Sequence, residues 1–135
     1  MKAIELWDIK DQVFLRLSDV LAPLPSRARA AAWEIADFVD PEGVAWFDVG
    51  HNGDNGISML ANTGRRVTGN ELILLAASSS QIIWGTFRGY DPNDSAEPWI
   101  RLHAIDSTFW RCETSDIAAR QALLKTFHDV RMVEG

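Results

Sequence analysis

The stretch that decides the fold is EPWIRLHAIDSTFWRCETS, residues 97–115, in which apolar side chains alternate with polar ones on both sides of a short polar turn. If the Asp-Ser-Thr sequence forms a three-residue turn, Ala104 pairs with Trp110 and the apolar even-numbered positions share one face. A slip of one residue would mix apolar and polar side chains on both faces, so the pattern selects one register. It predicts antiparallel strands at about 98–105 and 109–114.

A third strand is predicted immediately upstream, in QIIWGTFRGY at about 81–90. It joins the hairpin through the polar loop DPNDSAEP, so the three strands form an antiparallel meander. A sheet with one apolar face needs a second layer to bury that face, and helices from the rest of the chain can supply it. The sequence therefore predicts an α+β fold, and no linker or repeat divides residues 1–135 into more than one domain.

The clearest helix start is VTGNELILLAA, because Thr68 and Glu71 have the T-x-x-E spacing of a capping box. Each side chain in such a box accepts a hydrogen bond from a backbone N–H that the first helical turn leaves unpaired. This motif predicts a helix over about 69–79. The segment at about 11–24 fits both helical and strand spacing, and helix is the favoured interpretation.

Two further helices are predicted from apolar spacing. Pro25 and Ser26 precede RARAAAWEIADFV, whose apolar residues recur at helical intervals, so a helix is expected over about 26–40. Ser115 is the expected N-cap of a helix over about 116–128, which carries an apolar stripe. These helices are expected to pack against one face of the sheet.

The loop HNGDNG, residues 51–56, lies between the apolar runs VAWFDV and ISMLA. Asn and Gly tolerate left-handed backbone conformations, and a DNG sequence between two apolar runs is typical of a hairpin turn. The favoured interpretation is therefore a second hairpin with strands at about 44–50 and 57–61.

The same loop has an alternative, chemical interpretation. Its glycine spacing is not that of a dinucleotide-binding motif, and as an EF-hand it has Met59 where a bidentate glutamate belongs. Asp48, His51 and Asp54 could still converge as metal ligands or as an acid–base pair, because a loop between two strands brings near neighbours together. This alternative stays open, although no metal or cofactor is predicted for the chain as a whole.

Composition and charge restrict the function. The 19 acidic and 13 basic side chains give a formal charge of −6, which favours a basic partner and disfavours nucleic acid. Cys112 is the single cysteine, so no internal disulfide can form and a reducing compartment is expected. No apolar stretch approaches membrane-spanning length, and the first residues do not resemble a secretory signal. We therefore expect a cytoplasmic protein that does not bind a membrane.

A cationic cluster is predicted on the polar face of the 98–114 hairpin, where Arg101, His103 and Arg111 fall together. It could bind an anion or an acidic partner, because a histidine between two arginines is readily kept neutral and able to accept a proton. The alternative is an ordinary solvated sheet face on which Arg101 pairs with Glu113 across the strands.

The chain has six tryptophans, and one of them borders an acidic loop. Asp91, Asp94 and Glu97 lie within this loop, between Tyr90 and Trp99. Interfaces combine aromatic anchors with charges that steer a partner, and Trp99 is the expected exposed anchor. The loop predicts a surface for a basic partner, which the polar side chains around HNGDNG could extend.

Two function hypotheses follow from these observations. The first is a small acidic cytoplasmic protein-binding module, most concretely a bacterial inhibitor, antitoxin or immunity-type protein that blocks a basic toxin or nuclease. The second is a small enzyme or ligand-binding domain that uses either the side chains around HNGDNG or the cationic cluster of the hairpin. No nucleophile or metal motif favours an enzyme, so the binding module is the preferred prediction.

Overall fold

The computed structural model describes residues 3–10, 13–50, 56–79, 81–94 and 96–133. Its strands are β1 (Ala3–Leu6), β2 (Ile9–Lys10), β3 (Val13–Phe14), β4 (Ala32–Ala36), β5 (Phe38–Val39), β6 (Ala45–Trp46), β7 (Arg66–Thr68), β8 (Gly85–Tyr90), β9 (Ile100–Ile105), β10 (Phe109–Thr114) and β11 (Val130–Val133). Its helices are α1 (Leu17–Leu21), α2 (Ser26–Ala30), α3 (Ile57–Leu60), α4 (Gly69–Ser78) and α5 (Ile117–Thr126).

A seven-stranded antiparallel sheet forms the centre of the fold, in the order β11-β1-β10-β9-β8-β4-β7. The predicted meander is its middle, with β9 as the central strand. Two small hairpins, β2–β3 and β5–β6, pair outside this sheet. Side chains of α1, α4 and α5 share one hydrophobic core with the sheet. The α+β fold predicted from the sequence is confirmed.

The register of β9 and β10 is the one that the alternation predicts. Ala104 lies opposite Trp110, and Leu102 lies opposite Cys112. These four side chains are buried, whereas the odd-numbered residues between them are partly exposed. The hairpin therefore gives the sheet an apolar face, which joins the core with the helices, and a polar face that carries charged residues.

The helices α4 and α5 begin at side-chain caps. Thr68 Oγ1 accepts the Glu71 N–H at 3.1 Å, which is one of the two hydrogen bonds of the predicted capping box. The cap of α5 is Asp116, whose Oδ1 accepts the Ala119 N–H at 3.0 Å, so the prediction of Ser115 is wrong by one residue. Ser115 still belongs to the end of the meander, because its N–H donates to the carbonyl just before β9.

The helix predicted over 26–40 is wrong. The chain is helical there only in α2, and it then enters β4, which pairs with both β7 and β8. Trp33 and Ile35 are buried at two-residue spacing, and Trp33 Nε1–H donates to the Ala28 carbonyl at 2.8 Å. The short sequence satisfies both the helical and the strand period, and pairing with distant strands decides between them.

The hairpin predicted from strands 44–50 and 57–61 is also wrong. Strand β6 pairs with β5, which precedes it in the sequence. The segment after residue 56 forms the short helix α3 and not a strand. The Asp-Pro-Glu-Gly sequence just upstream also contains residues that favour a turn, a proline and a glycine. This sequence forms the turn that joins β5 to β6. Residues 51–55 lie outside the described part of the chain.

The segment at 11–24, for which helix was favoured, divides into two elements. Strand β3 precedes the five-residue helix α1, whose Leu17, Val20 and Leu21 are buried. The helical interpretation therefore holds for α1 and is wrong for Val13 and Phe14. Among the described helices, none has the length and apolar character needed to cross a membrane.

Candidate functional site

The candidate site is a cleft of about 350 Å³ on the polar face of the sheet, beside the β5–β6 hairpin. One wall is formed by residues 37–41, at the start of that hairpin. The floor is formed by side chains from β8, β9 and β10, namely Thr86, Arg88, Arg101, His103, Arg111 and Glu113. The cleft therefore joins the predicted cationic cluster to a hairpin that the sequence did not predict.

The turn of the β5–β6 hairpin is organised by one carboxylate. Asp40 Oδ1 accepts the N–H groups of Glu42 and Val44 at 2.9 and 3.0 Å, and its Oδ2 accepts Trp46 Nε1–H at 3.3 Å. Gly43 has φ +84°, a conformation that favours glycine. Because strands of two residues offer few ladder hydrogen bonds, this turn contributes much of the hairpin's order.

Aromatic contacts hold the hairpin against the sheet. The buried Phe38 ring stacks on Trp84 at 5.5 Å between centroids and meets His103 edge-on at 5.4 Å. Trp46 stacks on Trp84 at 5.8 Å. Backbone hydrogen bonds between Asp48 and Trp84 close the base of the hairpin. The hairpin is thus fixed both at its base and along one side.

The β5–β6 hairpin also exposes apolar surface. Val39 is 59% exposed, Val44 is 44% exposed and Trp46 is 46% exposed. Single exposed apolar residues are ordinary on a protein surface, whereas a group of them marks an interaction site. This group lies on one small, well-ordered element.

Negative charge is concentrated in the same part of the sequence. No lysine or arginine occurs between Arg29 and Arg65, and the acidic residues in that interval are Glu34, Asp37, Asp40, Glu42, Asp48 and Asp54. The remainder of the chain has equal numbers of acidic and basic side chains, so this interval carries the whole formal charge of −6. We call residues 37–48 the acidic hairpin.

His103 lies at the floor of the cleft with 13% of its side chain exposed. Its Nδ1 is 3.0 Å from Thr86 Oγ1, and its Nε2 is 3.2 Å from Glu113 Oε1. Burial lowers the pKa of His103; Glu113 acts in the opposite direction, and Arg111 and Arg101 lower it further. His103 is therefore neutral at pH 7.

We expect His103 to make the protein less stable in mild acid. Because its pKa in the folded state is below the ordinary value of 6.5, the unfolded chain binds more protons between the two values. The free energy of unfolding should therefore be highest above the ordinary histidine pKa and fall as the pH decreases through it. Urea unfolding at about pH 7.5 and about pH 5 measures this change, which should be smaller in His103→Gln.

The matched control is His128→Gln, which removes an imidazole from an exposed position. The pKa values of Asp91 and Asp116 are also lowered, but from 3.8, so their contribution is lost at more acidic pH than this experiment reaches. An equal pH dependence in wild type and His103→Gln would contradict the prediction.

The cationic cluster is brought together as the register predicts. Arg101, His103 and Arg111 all line the cleft. Arg101 also makes the expected pair with Glu113, at 3.5 Å, and Arg111 pairs with Glu5 of β1 at 3.1 Å. The polar face therefore combines cross-strand ion pairs with an open cleft.

The second predicted set is only partly described. Asp48 is exposed at the base of the acidic hairpin, where its Oδ1 accepts the Gly50 N–H at 2.8 Å. His51 and Asp54 lie outside the described residues, so their convergence with Asp48 stays a prediction. Within the described residues, no group of three or more His, Cys, Asp or Glu side chains is placed to hold a metal ion.

The predicted acidic loop differs from the expectation. Trp99 is 4% exposed and Tyr90 is 7% exposed, so the prediction that Trp99 is an exposed anchor is wrong. Asp94 and Glu97 are exposed, as a solvated or partner-binding loop requires. Asp91 is half-buried and engaged in an internal ion pair. The loop therefore keeps two exposed carboxylates, and neither of its flanking aromatic residues is exposed.

The buried Trp99 ring belongs to the hydrophobic core and is contacted by Arg27 of α2. The guanidinium lies 4.3 Å from the Trp99 ring centroid and donates two hydrogen bonds to Asp91, at 3.0 and 2.6 Å. A third donor reaches Asp116 at 2.7 Å. The bond from Arg27 lowers the pKa of Asp91. One arginine thus joins α2, the acidic loop and the cap of α5, a contact that sequence spacing does not reveal.

Sequence reasoning missed the acidic hairpin, although two signals for it are present. The interval without basic residues is visible in the sequence, and Trp46 lies inside it. The buried Cys112, in contrast, was predicted to face the core and does so. Its burial raises the pKa of the thiol, which leaves the thiol unreactive.

Comparison of the chain with protein-family models gives no match, and searches of curated proteins and of solved structures give none either. A fold supports many functions, so function has to be inferred from the chemistry of a particular site. For this chain, that site is the acidic hairpin and the cleft beside it.

Proposed function

We propose that this chain is a protein-binding module for a basic partner, with the acidic hairpin as its binding surface. In its most concrete form, it is a cytoplasmic inhibitor or immunity-type protein that blocks a toxin or nuclease. The observation that carries the proposal is the exposed Trp46 within the interval that bears the entire net charge. The hairpin replaces the 91–97 loop as the main partner-binding surface.

The composition of the hairpin is that of an interface. Tryptophan is enriched among the residues that dominate binding energy, where it lies inside a polar rim. Val39 and Val44 supply apolar surface together with Trp46, and the carboxylates of Glu42 and Asp48 are exposed on the same hairpin. Such a concentration of negative charge accelerates encounter with a positively charged partner and repels nucleic acid.

The order of the hairpin also supports binding. The carboxylate of Asp40 and the ring of Trp84 hold the hairpin in place before a partner arrives. Less conformational entropy is then lost on docking, because the contact residues already have their bound geometry. Basic catalytic surfaces, such as those of nucleases, have the charge that complements this element.

The test begins with capture of partners from the source cell and identification by mass spectrometry, followed by affinity measurements with the purified partner. Trp46→Ala should weaken binding by about 2 kcal/mol or more, which is roughly thirtyfold in Kd. Trp46 is exposed, so the variant should stay folded, which its thermal unfolding verifies.

A pair of matched charge reversals locates the surface. Glu42→Lys on the acidic hairpin should weaken binding and reduce its salt dependence, because one attractive charge becomes repulsive. Glu97→Lys makes the same charge change at an exposed position of the acidic loop and should have the smaller effect. A captured partner that is acidic, or a larger loss from Glu97→Lys than from Glu42→Lys, would contradict the proposal.

A further inference from the structure

The floor of the cleft holds two like charges in direct opposition. Arg88 on β8 and Arg101 on β9 are cross-strand partners, and both line the cleft. Like charges directly opposite each other destabilise an antiparallel pair. Glu34 pairs with Arg88 from β4, and Glu113 pairs with Arg101 from β10. Each glutamate therefore compensates the charge of its arginine from the far side, on β4 or β10, and neither glutamate lies on β8 or β9.

The arginines of the floor retain most of their hydrogen-bond donors. Each makes one side-chain hydrogen bond within the described residues: Arg88 to Glu34 at 2.9 Å, Arg101 to Glu113 at 3.5 Å and Arg111 to Glu5 at 3.1 Å. A guanidinium has five N–H donors. The buried Nε–H of Arg111 has no acceptor among the described residues. Each of the three arginines is paired with one glutamate, and the floor still offers hydrogen-bond donors in excess of its acceptors.

We propose that this cleft binds a compact oxyanion, a phosphate group or a carboxylate, through Arg88, Arg101 and Arg111. A guanidinium binds two oxygens of either group in a bidentate arrangement. The anion relieves the opposition of Arg88 and Arg101 by lying between their charges, and it supplies acceptors for the free donors. The cleft volume of about 350 Å³ accommodates a small molecule that carries such a group.

The carboxylates in the wall of the cleft are engaged in hydrogen bonds of their own. The carboxylate of Asp40 is occupied by the N–H groups of its own turn, and Asp37 Oδ1 accepts Asn62 Nδ2–H at 2.9 Å. His103 is neutral, and both of its ring nitrogens face partners within the floor. The wall favours ligands whose anionic group is small enough to reach the arginines.

The site is tested by titrating the ¹⁵N-labelled protein with inorganic phosphate and, in a separate series, with acetate. The arginine Nε–H resonances report the site directly. We expect saturable shifts of the Arg88 and Arg101 signals, and Arg101→Gln should raise the Kd for phosphate about tenfold or more because a charge-assisted contact is lost. Arg88→Gln is a second variant that keeps the test decisive if Arg101→Gln does not fold.

The matched control is Arg29→Gln, which removes the same charge from an exposed position on α2, outside the cleft. It should change the Kd by less than about twofold, since it makes no contact with the cleft. Saturation by phosphate alone assigns a phosphate-bearing ligand, and saturation by acetate as well extends the site to carboxylates. No saturation by either anion at about 20 mM, or equal effects of Arg29→Gln and Arg101→Gln, would overturn the proposal.

Discussion

Replacing Gly69 by alanine should destabilise the protein by about 3 kcal/mol or more, although alanine is the better helix former by about 1 kcal/mol. A Cβ atom on Gly69 would lie 2.0 Å from the Ala28 carbonyl oxygen, 2.5 Å from Arg29 Cα and 2.6 Å from the Arg29 carbonyl oxygen. All three are backbone atoms, so no side chain can rotate to make room. The first turn of α4 is pressed against the end of α2, and the substitution would force the two apart.

Urea unfolding measures the loss of unfolding free energy in Gly69→Ala. The control variant is Asn70→Ala, which places an alanine at an exposed position of the same helical turn. The control should stay within about 0.5 kcal/mol of wild type, because it alters little more than helix propensity. If Gly69→Ala were as stable as wild type, the close packing of α2 on α4 would be wrong.

Replacing Trp33 by alanine should cost about 3–5 kcal/mol, because it removes the largest fully buried side chain of the sheet and leaves a cavity. Trp33 is 0% exposed and donates its Nε1–H to the Ala28 carbonyl at 2.8 Å. Its ring also lies against Gly89, where an added Cβ would be 3.2 Å from it. Trp33→Phe should fall between wild type and Trp33→Ala, since it restores apolar volume but leaves the Ala28 carbonyl without this donor.

The comparison variant for Trp33→Ala is Trp46→Ala, the same exchange at a half-exposed ring. Trp46 packs on one side only, so its loss should cost about 1 kcal/mol. Chemical unfolding of both variants gives the difference in free energy. Equal losses of unfolding free energy in Trp33→Ala and Trp46→Ala would contradict the burial of Trp33 in β4.

The central meander was predictable because its information is local. The twelve residues of β9 and β10 alternate between buried and partly exposed positions, and the two strands are joined by one short turn. The same alternation placed Arg101, His103 and Arg111 on one face, so this part of the cleft floor also followed from sequence, whereas Arg88 of β8 was not predicted. A one-residue slip would have reversed both faces, which is why this inference was strongly constrained.

Strand β4 was not predictable from its own residues. Its partners are β7 and β8, and Trp33 of β4 lies opposite Val67 and Gly89, far away in the sequence. The alanine-rich segment before it favours helix by local propensity, and α2 takes that part of the sequence. The free energy that favours the strand comes from the burial of Trp33 against elements that are distant in the sequence. The spacing of apolar residues within the segment carries no information about those contacts.

The same limitation explains the errors at the candidate site. The strands of the acidic hairpin have two residues each, too few to show a period, and the hairpin is held mainly by Trp84 and His103 from other elements. Trp99 is buried in the core and contacts Arg27, which lies in a different segment of the chain. Charge distribution was the signal that needed no contact information, because the interval without basic residues can be counted directly.

Photo-crosslinking in the cell that produces the protein tests most directly the proposal that a basic partner docks on the acidic hairpin. A photoreactive amino acid is placed at Val44, which is 44% exposed on the acidic hairpin, and in a separate variant at Leu74, which is 71% exposed on α4. The proposed function predicts a discrete crosslinked product with a basic protein from Val44, diminished by Trp46→Ala and absent from Leu74. No product at Val44, or the same product from both positions, would contradict it.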